Sequence, residues 1–104
     1  MSYKVLFEKD AETDIDEIIA WYEKEQAGLG FSFLFYLGEA VSVISANPKI
    51  YQRIYKDVRR IMLEKFPYSI YFDTNESKME VILYTVIHQH RNQKVWKRKT
   101  SKLR

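Results

Sequence analysis

The spacing of apolar residues changes at Asn47-Pro48, and this change constrains the fold more than any other feature of the sequence. Before it, apolar residues recur at helical spacing, and after it they recur at every second residue, which is typical of strands. Proline removes a backbone donor and restricts the residue before it, so a helix is expected to end here. The 104 residues are therefore expected to form one α+β domain, with two helices before most of the sheet.

Two helices are predicted before Pro48. Asp10 is expected to be the N-cap of the first helix. The apolar face of this helix holds Ala11, Ile15, Ile18, Ile19 and Tyr22. The second helix is predicted at Leu29–Ala46, and its apolar stripe holds Phe33, Leu37, Val41 and Ile44. Because the link contains Gly28 and Gly30, the helices are expected to form an antiparallel hairpin.

Strands are predicted at residues 3–7, 50–55, 58–66, 68–72 and 80–88. The last of these, EVILYTVIH, is apolar on both faces and is expected to be internal, while residues 73–76 are polar turn material. Residues 92–99 are expected to form a short final helix that docks Trp96. The sequence therefore predicts an N-terminal strand and a helical hairpin packed on one face of a small, twisted, mostly antiparallel sheet.

Charge is distributed unevenly along the chain. Residues 1–40 hold nine acids and three bases, whereas residues 41–104 hold five acids and fourteen bases. The last nineteen residues, from Val86, hold seven bases and no acid. This split favours nucleic acid, an acidic protein, or both as partners of a basic face, beside the simpler interpretation of a solvated basic tail.

The sequence contains no cysteine, which excludes disulfides and thiolate chemistry and favours a reducing compartment. The first ten residues are charged and strand-like, unlike a signal peptide. No apolar run is expected to approach the ~20 residues of a membrane helix. We therefore expect a cytoplasmic protein.

Three stretches carry a family resemblance: residues 59–72 (RRIMLEKFPYSIYF), residues 84–98 (YTVIHQHRNQKVWKR), and the amphipathic hairpin that ends at Asn47-Pro48. In this order and at this spacing, the chain resembles the ParE branch of the RelE/ParE superfamily of type II toxin–antitoxin systems. In that family, a paired-arginine strand leads into Phe-Pro-Tyr, and a central strand ends in His-x-x-Arg before a Trp and an Arg. The likeness covers nearly the whole chain and agrees with the element order derived from the residues.

The resemblance implies a growth-arresting toxin with a cognate antitoxin, of the kind associated with plasmid stabilization, and no cofactor. One fold can carry unrelated functions, so the target stays open. The favoured interpretation is a ParE-like toxin that inhibits DNA gyrase by protein–protein contact and is not an enzyme. The alternatives are a ribosome-dependent mRNA interferase like RelE, and an inactive remnant that binds only its antitoxin. A dimer, or a hetero-oligomer with the antitoxin, is a further expectation.

An interferase would need a base, an acid and cationic groups around the reacting phosphate. The resemblance places Arg60 and Arg91 at cationic positions of the RelE-like cluster, with His88 as the candidate acid or base. Met62 and Ser69 stand where further basic residues are expected in that cluster. Their absence favours gyrase inhibition over cleavage.

Histidine spacing and exposed aromatics supply the remaining candidates. The His-Gln-His spacing predicts His88 and His90 on one strand face, as acid or base candidates or as ordinary structural histidines, and no metal is expected from two histidines alone. The candidates for target binding are Arg59, Arg60, His90, Arg91, Lys94, Lys97 and Arg98. The candidates for antitoxin binding are Phe31, Phe35 and Tyr36, which lie on more than one side of the second helix; the alternative is packing inside the hairpin.

Overall fold

The protein is described by a computed structural model that covers residues 2–90. Its elements are β1 (Lys4–Phe7), α1 (Lys9–Glu25), α2 (Leu29–Ala46), a 3-10 turn (Pro48–Ile50), β2 (Arg53–Tyr55), β3 (Val58–Met62), β4 (Tyr68–Asn75) and β5 (Glu80–His88). The five strands form one sheet in the order β1-β5-β4-β3-β2. β1 is parallel to β5 and the other neighbours are antiparallel, so the predicted α+β fold is confirmed and β5 is internal.

The main core lies between the helical hairpin and one face of the sheet. The helices contribute Ala11, Ile15, Ile18, Phe33, Leu37, Ala40 and Ile44. The sheet contributes Ile70, Phe72, Val81, Leu83 and Val86. Burying each large apolar side chain contributes roughly 1.5–3 kcal/mol, so this layer stabilises the packing of the hairpin on the sheet.

The start of α1 differs from the prediction. The helix begins at Lys9, with Glu8 as its N-cap residue and no side-chain cap, so Asp10 lies in the first turn instead of at the N-cap. The N–H of Glu8 donates to the carbonyl of Leu83 at 3.0 Å. Pairing of the N-terminal strand with β5 therefore fixes where the chain turns into the helix, and Asp10 still favours the helix dipole.

Glu23 closes the link between the two helices. Its carboxylate accepts hydrogen bonds from the N–H groups of Gly28, at 3.1 Å, and Gly30, at 2.8 Å. N–H groups at the start of a helix have no partner within that helix, so a side chain of α1 caps α2. Gly28 has a φ of +91°, and a Cβ at Gly30 would lie 2.9 Å from the carbonyl oxygen of Ile19. Both glycines are therefore required by the local geometry.

Several strand limits differ from the predicted ones. The 3-10 turn occupies Pro48–Ile50, so β2 begins only at Arg53, and β3 ends at Met62. β4 continues to Asn75, which pairs with Glu80, where a turn was predicted from residue 73. The Asn75 side chain accepts a hydrogen bond from the N–H of Lys78 at 3.3 Å, which closes the turn at residues 76–79. Pairing with β5 outweighs the turn preference of the polar residues.

α2 is apolar well beyond its buried stripe. Its 18 residues have a mean hydropathy of 1.6 and are long and apolar enough, by length and composition, to cross a membrane. This corrects the expectation that no apolar run approaches that length. Only 28% of the helix is buried within the protein, and that part packs as a core helix on the sheet. Much of the part of α2 that is not buried is an exposed apolar surface.

Candidate functional site

The face of the sheet that the helices leave open carries its own small apolar cluster. Its buried members are Val58, Tyr71, Tyr84 and Ile87. Arg60 pairs with Tyr71 across β3 and β4, and directly paired residues point to the same side of a sheet. Arg60 therefore lies on the open face, beside a cluster of tyrosines. Strand alternation with the apolar Ile61 and Leu63, which are expected to face the core, predicts the same placement.

His88 lies on the opposite, helix-covered side of the sheet. It pairs with Tyr68, whose ring packs against Phe33 of α2, and the His88 and Tyr68 ring centroids are 5.2 Å apart. His88 also lines a cavity of about 170 Å³ together with the α1 residues Asp14, Glu17 and Trp21. Arg60 and His88, two members of the predicted nuclease set, are therefore not brought together.

A bulge in β5 causes this separation. Leu83 pairs with Phe72, but Thr85 pairs with Tyr71, so Tyr84 is an additional residue in β5. Strict alternation from Tyr84 would place His88 on the open face. The bulge moves every later side chain to the other side, which is why Val86 joins the core under the helices.

Asp14 holds α1 against the bulge. Its carboxylate accepts hydrogen bonds from the hydroxyl of Thr85 and, at 3.2 Å, from the N–H of Val86. Thr85 has no exposed surface, so its hydroxyl needs a partner within the protein. Sequence reasoning missed Asp14, although the signal was there. Asp14 falls at helical spacing with the buried Ala11 and Ile18, on the face that packs inward.

The two histidines lie side by side, but not on one strand face as predicted, because β5 ends at His88 and His90 lies in the turn that follows. The ring centroids of His88 and His90 are 5.2 Å apart, and the N–H of His90 donates to Nδ1 of His88 at 3.2 Å. A neutral His88 with Nδ1 as an acceptor carries its proton on Nε2. Within residues 2–90, no group of three or more His, Asp or Glu side chains is arranged to hold a metal ion. The remaining basic candidates, Arg91, Lys94, Lys97 and Arg98, and the predicted helix with Trp96 lie outside the described residues.

Arg59 and Arg60 differ in role because they point to opposite sides of β3. The Nη1 of Arg59 donates to the carbonyl oxygens of Tyr51 and, at 3.3 Å, Lys49. Its buried Nε has no hydrogen-bond partner among the described residues. Arg59 thus ties the turn after α2 to the sheet, and part of its guanidinium faces the protein interior.

Tyr84 is the candidate that could replace a histidine as a base on the open face. It is only 4% exposed. Burial raises the pKa of its phenol above the ordinary value, and the charges of Glu8 and Asp57 raise the pKa further. At neutral pH the hydroxyl therefore keeps its proton and cannot act as a general base.

The outer side of α2 exposes large apolar side chains. Phe31 is 75% exposed and Phe35 is 60% exposed, while Leu34 and Val43 are 45% and 44% exposed. Tyr36 is half-buried and packs against the core. Phe31 and Phe35 are thus not packed inside the hairpin, and binding of an antitoxin to them stays a prediction.

A hairpin of two helices on a mixed five-stranded sheet is the architecture of several solved toxin structures. One is the chromosomal ParDE toxin–antitoxin system of P. aeruginosa, with a TM-score of 0.72 at 17% identity over 83% of this chain and 95% of that chain. Another is a mutant of the E. coli toxin RelE in the free state, with a TM-score of 0.71 at 15% identity over all of both chains. The toxin–antitoxin complex RelBE2 of Mycobacterium tuberculosis matches with a TM-score of 0.59 at 13% identity, over 85% of this chain and 99% of that chain.

The chain therefore has the same fold as these RelE and ParDE structures. The model of one family, the ParE toxin of the type II toxin–antitoxin system parDE, matches residues 5–93. The chain therefore belongs to the ParE toxin family. No curated protein sequence matches it significantly.

Proposed function

We propose that this ParE-family toxin is neutralised by a cognate antitoxin encoded nearby and that it arrests growth in the cytoplasm by protein–protein contact with DNA gyrase. Membership of the ParE family supports gyrase as the target class. The contact needs no cofactor and no covalent chemistry. Several similar solved structures contain a toxin with its antitoxin, which supports the antitoxin as a partner.

Arg60 and His88 lie on opposite faces of the sheet. This placement supports inhibition by protein–protein contact over cleavage of RNA. Cleavage of RNA by its own 2′-hydroxyl needs an acid or base within about 3 Å of atoms that the cations also stabilise. With the sheet between them, these two side chains cannot act on one phosphate. Among the described residues of the open face, Arg60 lies beside Tyr71 and Tyr84. Both tyrosines are buried in an apolar cluster.

The basic end of the chain is the proposed contact surface for the target. Seven bases and no acid follow Val86 in the sequence, beginning just after the exposed His90. A charged patch of one sign speeds association with a partner of the opposite sign. Gyrase bound to DNA offers such a partner, either in the protein or in the phosphates of the DNA.

The exposed aromatic side of α2 supports the antitoxin as a second partner. A contiguous apolar surface that stays exposed in a single small chain is typical of a protein–protein interface. Phe31 and Phe35 are the largest exposed side chains there. Covering them with an antitoxin would remove apolar area from water and so stabilise the complex.

Pulse-labelling of DNA and protein synthesis just after induced expression tests the target. The proposal predicts that DNA synthesis falls first, with a DNA-damage response, and that co-expression of the antitoxin prevents the fall. If protein synthesis falls first and messages are cleaved, the chain is a ribosome-dependent interferase and the proposal fails. If soluble toxin accumulates and neither synthesis changes, the chain is a remnant that only binds its antitoxin.

A further inference from the structure

A groove runs between α2 and the end of β3, on one flank of the hairpin. Its cavity volume is about 370 Å³. The walls include Tyr36, Glu39 and Val43 of α2, and Ile61, Met62 and Glu64 at the end of β3. This is a different place from the cavity beside His88, which lies between α1 and β5.

The groove is apolar inside and acidic at its edge. Met62 is 54% exposed and Val43 is 44% exposed, although side chains of this size and polarity are usually buried. Glu39 and Glu64 are the charged residues of the lining, and both are exposed. An occupant must therefore supply apolar side chains for the floor and positive charge for the edge.

The groove is continuous with the exposed aromatic side of α2. The rings of Phe35 and Tyr36 are in edge-to-face contact, with centroids 5.1 Å apart, so Tyr36 joins the two surfaces. From Phe31 to Val43 the combined surface extends about 18 Å along the helix axis, at a rise of about 1.5 Å per residue. About 12 residues of helix, or five to six extended residues, would cover it.

We propose that this groove binds a segment of the antitoxin in which lysine or arginine flanks apolar side chains. The inference rests on the proposed function only in taking the antitoxin as the partner. An acidic antitoxin segment would be repelled by Glu39 and Glu64, so the groove selects against such a segment.

Charge reversal in the groove tests this assignment. The probe is the purified protein encoded by the reading frame next to that of the toxin, titrated into the full-length toxin. Glu39→Lys and Glu64→Lys are each expected to weaken binding about three- to tenfold, mainly by slowing association. Met62→Ser, which removes apolar contact, is expected to weaken binding by about tenfold through faster dissociation. Glu25→Lys is the matched control, because Glu25 is an exposed acid at the end of α1, away from the groove.

Ionic strength and a charge exchange sharpen the result. Added salt should weaken binding of the wild-type toxin more than binding of Glu64→Lys, because salt screens the attraction that the variant has lost. Replacing the basic residues of the antitoxin segment with glutamate should restore binding to Glu64→Lys. Circular dichroism verifies that each variant keeps its fold.

Other outcomes would overturn the inference in distinguishable ways. If the neighbouring protein binds the wild-type toxin and both glutamate variants equally well, the groove is not its site, while the proposed antitoxin partner stands. If that protein does not bind the wild-type toxin at all, the proposed partner itself is wrong. If the toxin alone is a dimer in sedimentation velocity and Glu64→Lys makes it monomeric, the occupant is a second copy of this chain.

Discussion

The carboxylate of Asp14 on α1 accepts a hydrogen bond from the hydroxyl of Thr85 on β5, a residue with no exposed surface. The N–H of Val86 donates to the same carboxylate oxygen at 3.2 Å. These bonds join the helical hairpin to the strand at the bulge, immediately before His88. The position of His88 under α1 therefore depends on a contact between residues 71 positions apart in the chain.

Asp14→Ala is expected to destabilise the protein by about 1–3 kcal/mol, because it leaves a buried hydroxyl and a buried N–H without their partner. Asp16→Ala is the matched control, since Asp16 is an exposed acid on the same helix, and it should change stability by less than about 0.5 kcal/mol. The free energy of unfolding in urea measures both. Equal losses in the two variants would show that the bonds to Thr85 and Val86 contribute nothing specific.

Two glycines in α2 are expected to respond in opposite directions to alanine. At Gly30 a Cβ would lie 2.7 Å from the Cγ of Glu23 and 2.9 Å from a backbone oxygen, so Gly30→Ala forces the helices apart and destabilises the fold by about 1–3 kcal/mol. At Gly38 nothing lies within 4 Å, so Gly38→Ala should stabilise the helix by about 0.5–1 kcal/mol. Thermal unfolding measures the sign of each change. A stabilising Gly30→Ala would contradict the close packing of α1 and α2.

Acid should weaken the contact between Tyr3, just before β1, the 3-10 turn and the turn after β4. Lys49 lies 2.9 Å from Glu76, whose carboxylate also accepts a bond from the Tyr3 hydroxyl at 3.0 Å. The hydrogen bond from Lys49, then that from Tyr3, holds the pKa of Glu76 below its ordinary value. A depressed carboxyl pKa stabilises the fold above the unfolded pKa of about 4.3, and this contribution is lost as pH falls through the lower folded pKa.

The ion pair of Lys49 and Glu76 should also stop stabilising the fold at high pH. The hydrogen bond and charge of Glu76 raise the pKa of Lys49, so its contribution is fully present below the unfolded pKa of about 10.4 and is lost as pH rises through the higher folded pKa. The unfolding free energies of wild type and Glu76→Gln should therefore differ at pH 7 and converge as pH falls through the folded pKa of Glu76. High salt should reduce the difference, since both side chains are about half exposed. A difference that persists unchanged once acid has protonated Glu76 would exclude the ionic contact as its cause.

His88→Ala is expected to leave growth arrest intact, because a toxin that acts by contact needs no acid or base at this position. The variant loses its ring contact with Tyr68, so a modest loss of stability is expected, and its fold must be verified by circular dichroism. Colony formation after induction measures the arrest. A folded His88→Ala protein that no longer arrests growth would favour the interferase.

Reversing charge in the basic end should remove toxicity without unfolding the protein. Lys97→Glu combined with Arg98→Glu is expected to raise the number of surviving colonies at least tenfold in a plating assay. The reason is that the attraction between toxin and target becomes repulsion. The matched control is Lys24→Glu combined with Lys78→Glu, which changes the net charge equally at two exposed bases elsewhere. If both double variants lose toxicity to the same degree, overall charge matters and the basic end has no special role.

The sequence predicted the bounds of an element correctly where glycine, asparagine or proline stands next to its ends. α2 begins after Gly28 and ends before Asn47-Pro48, so its predicted bounds match the observed Leu29–Ala46. The predicted limits of β5 were also correct, because an apolar run rich in β-branched residues spans Glu80–His88.

Features that depend on pairing between strands far apart in the chain could not be predicted from the local sequence. The start of α1 depends on the bond from Glu8 to Leu83, and the length of β4 depends on its register with β5. The same limit applies to the candidate site. The sequence correctly put Arg60 on the open face, but the side of His88 depends on the bulge at Tyr84, which only the pairing of β4 with β5 reveals.

Supercoiling by purified DNA gyrase, measured beside translation of a defined message by purified ribosomes, distinguishes gyrase from the ribosome as the target of the toxin. Toxin at equal concentrations is added to both reactions, with and without excess antitoxin. We expect that supercoiling is inhibited, that the antitoxin reverses the inhibition, and that the message stays intact. Cleavage of the message on the ribosome, with supercoiling unaffected, would contradict this expectation.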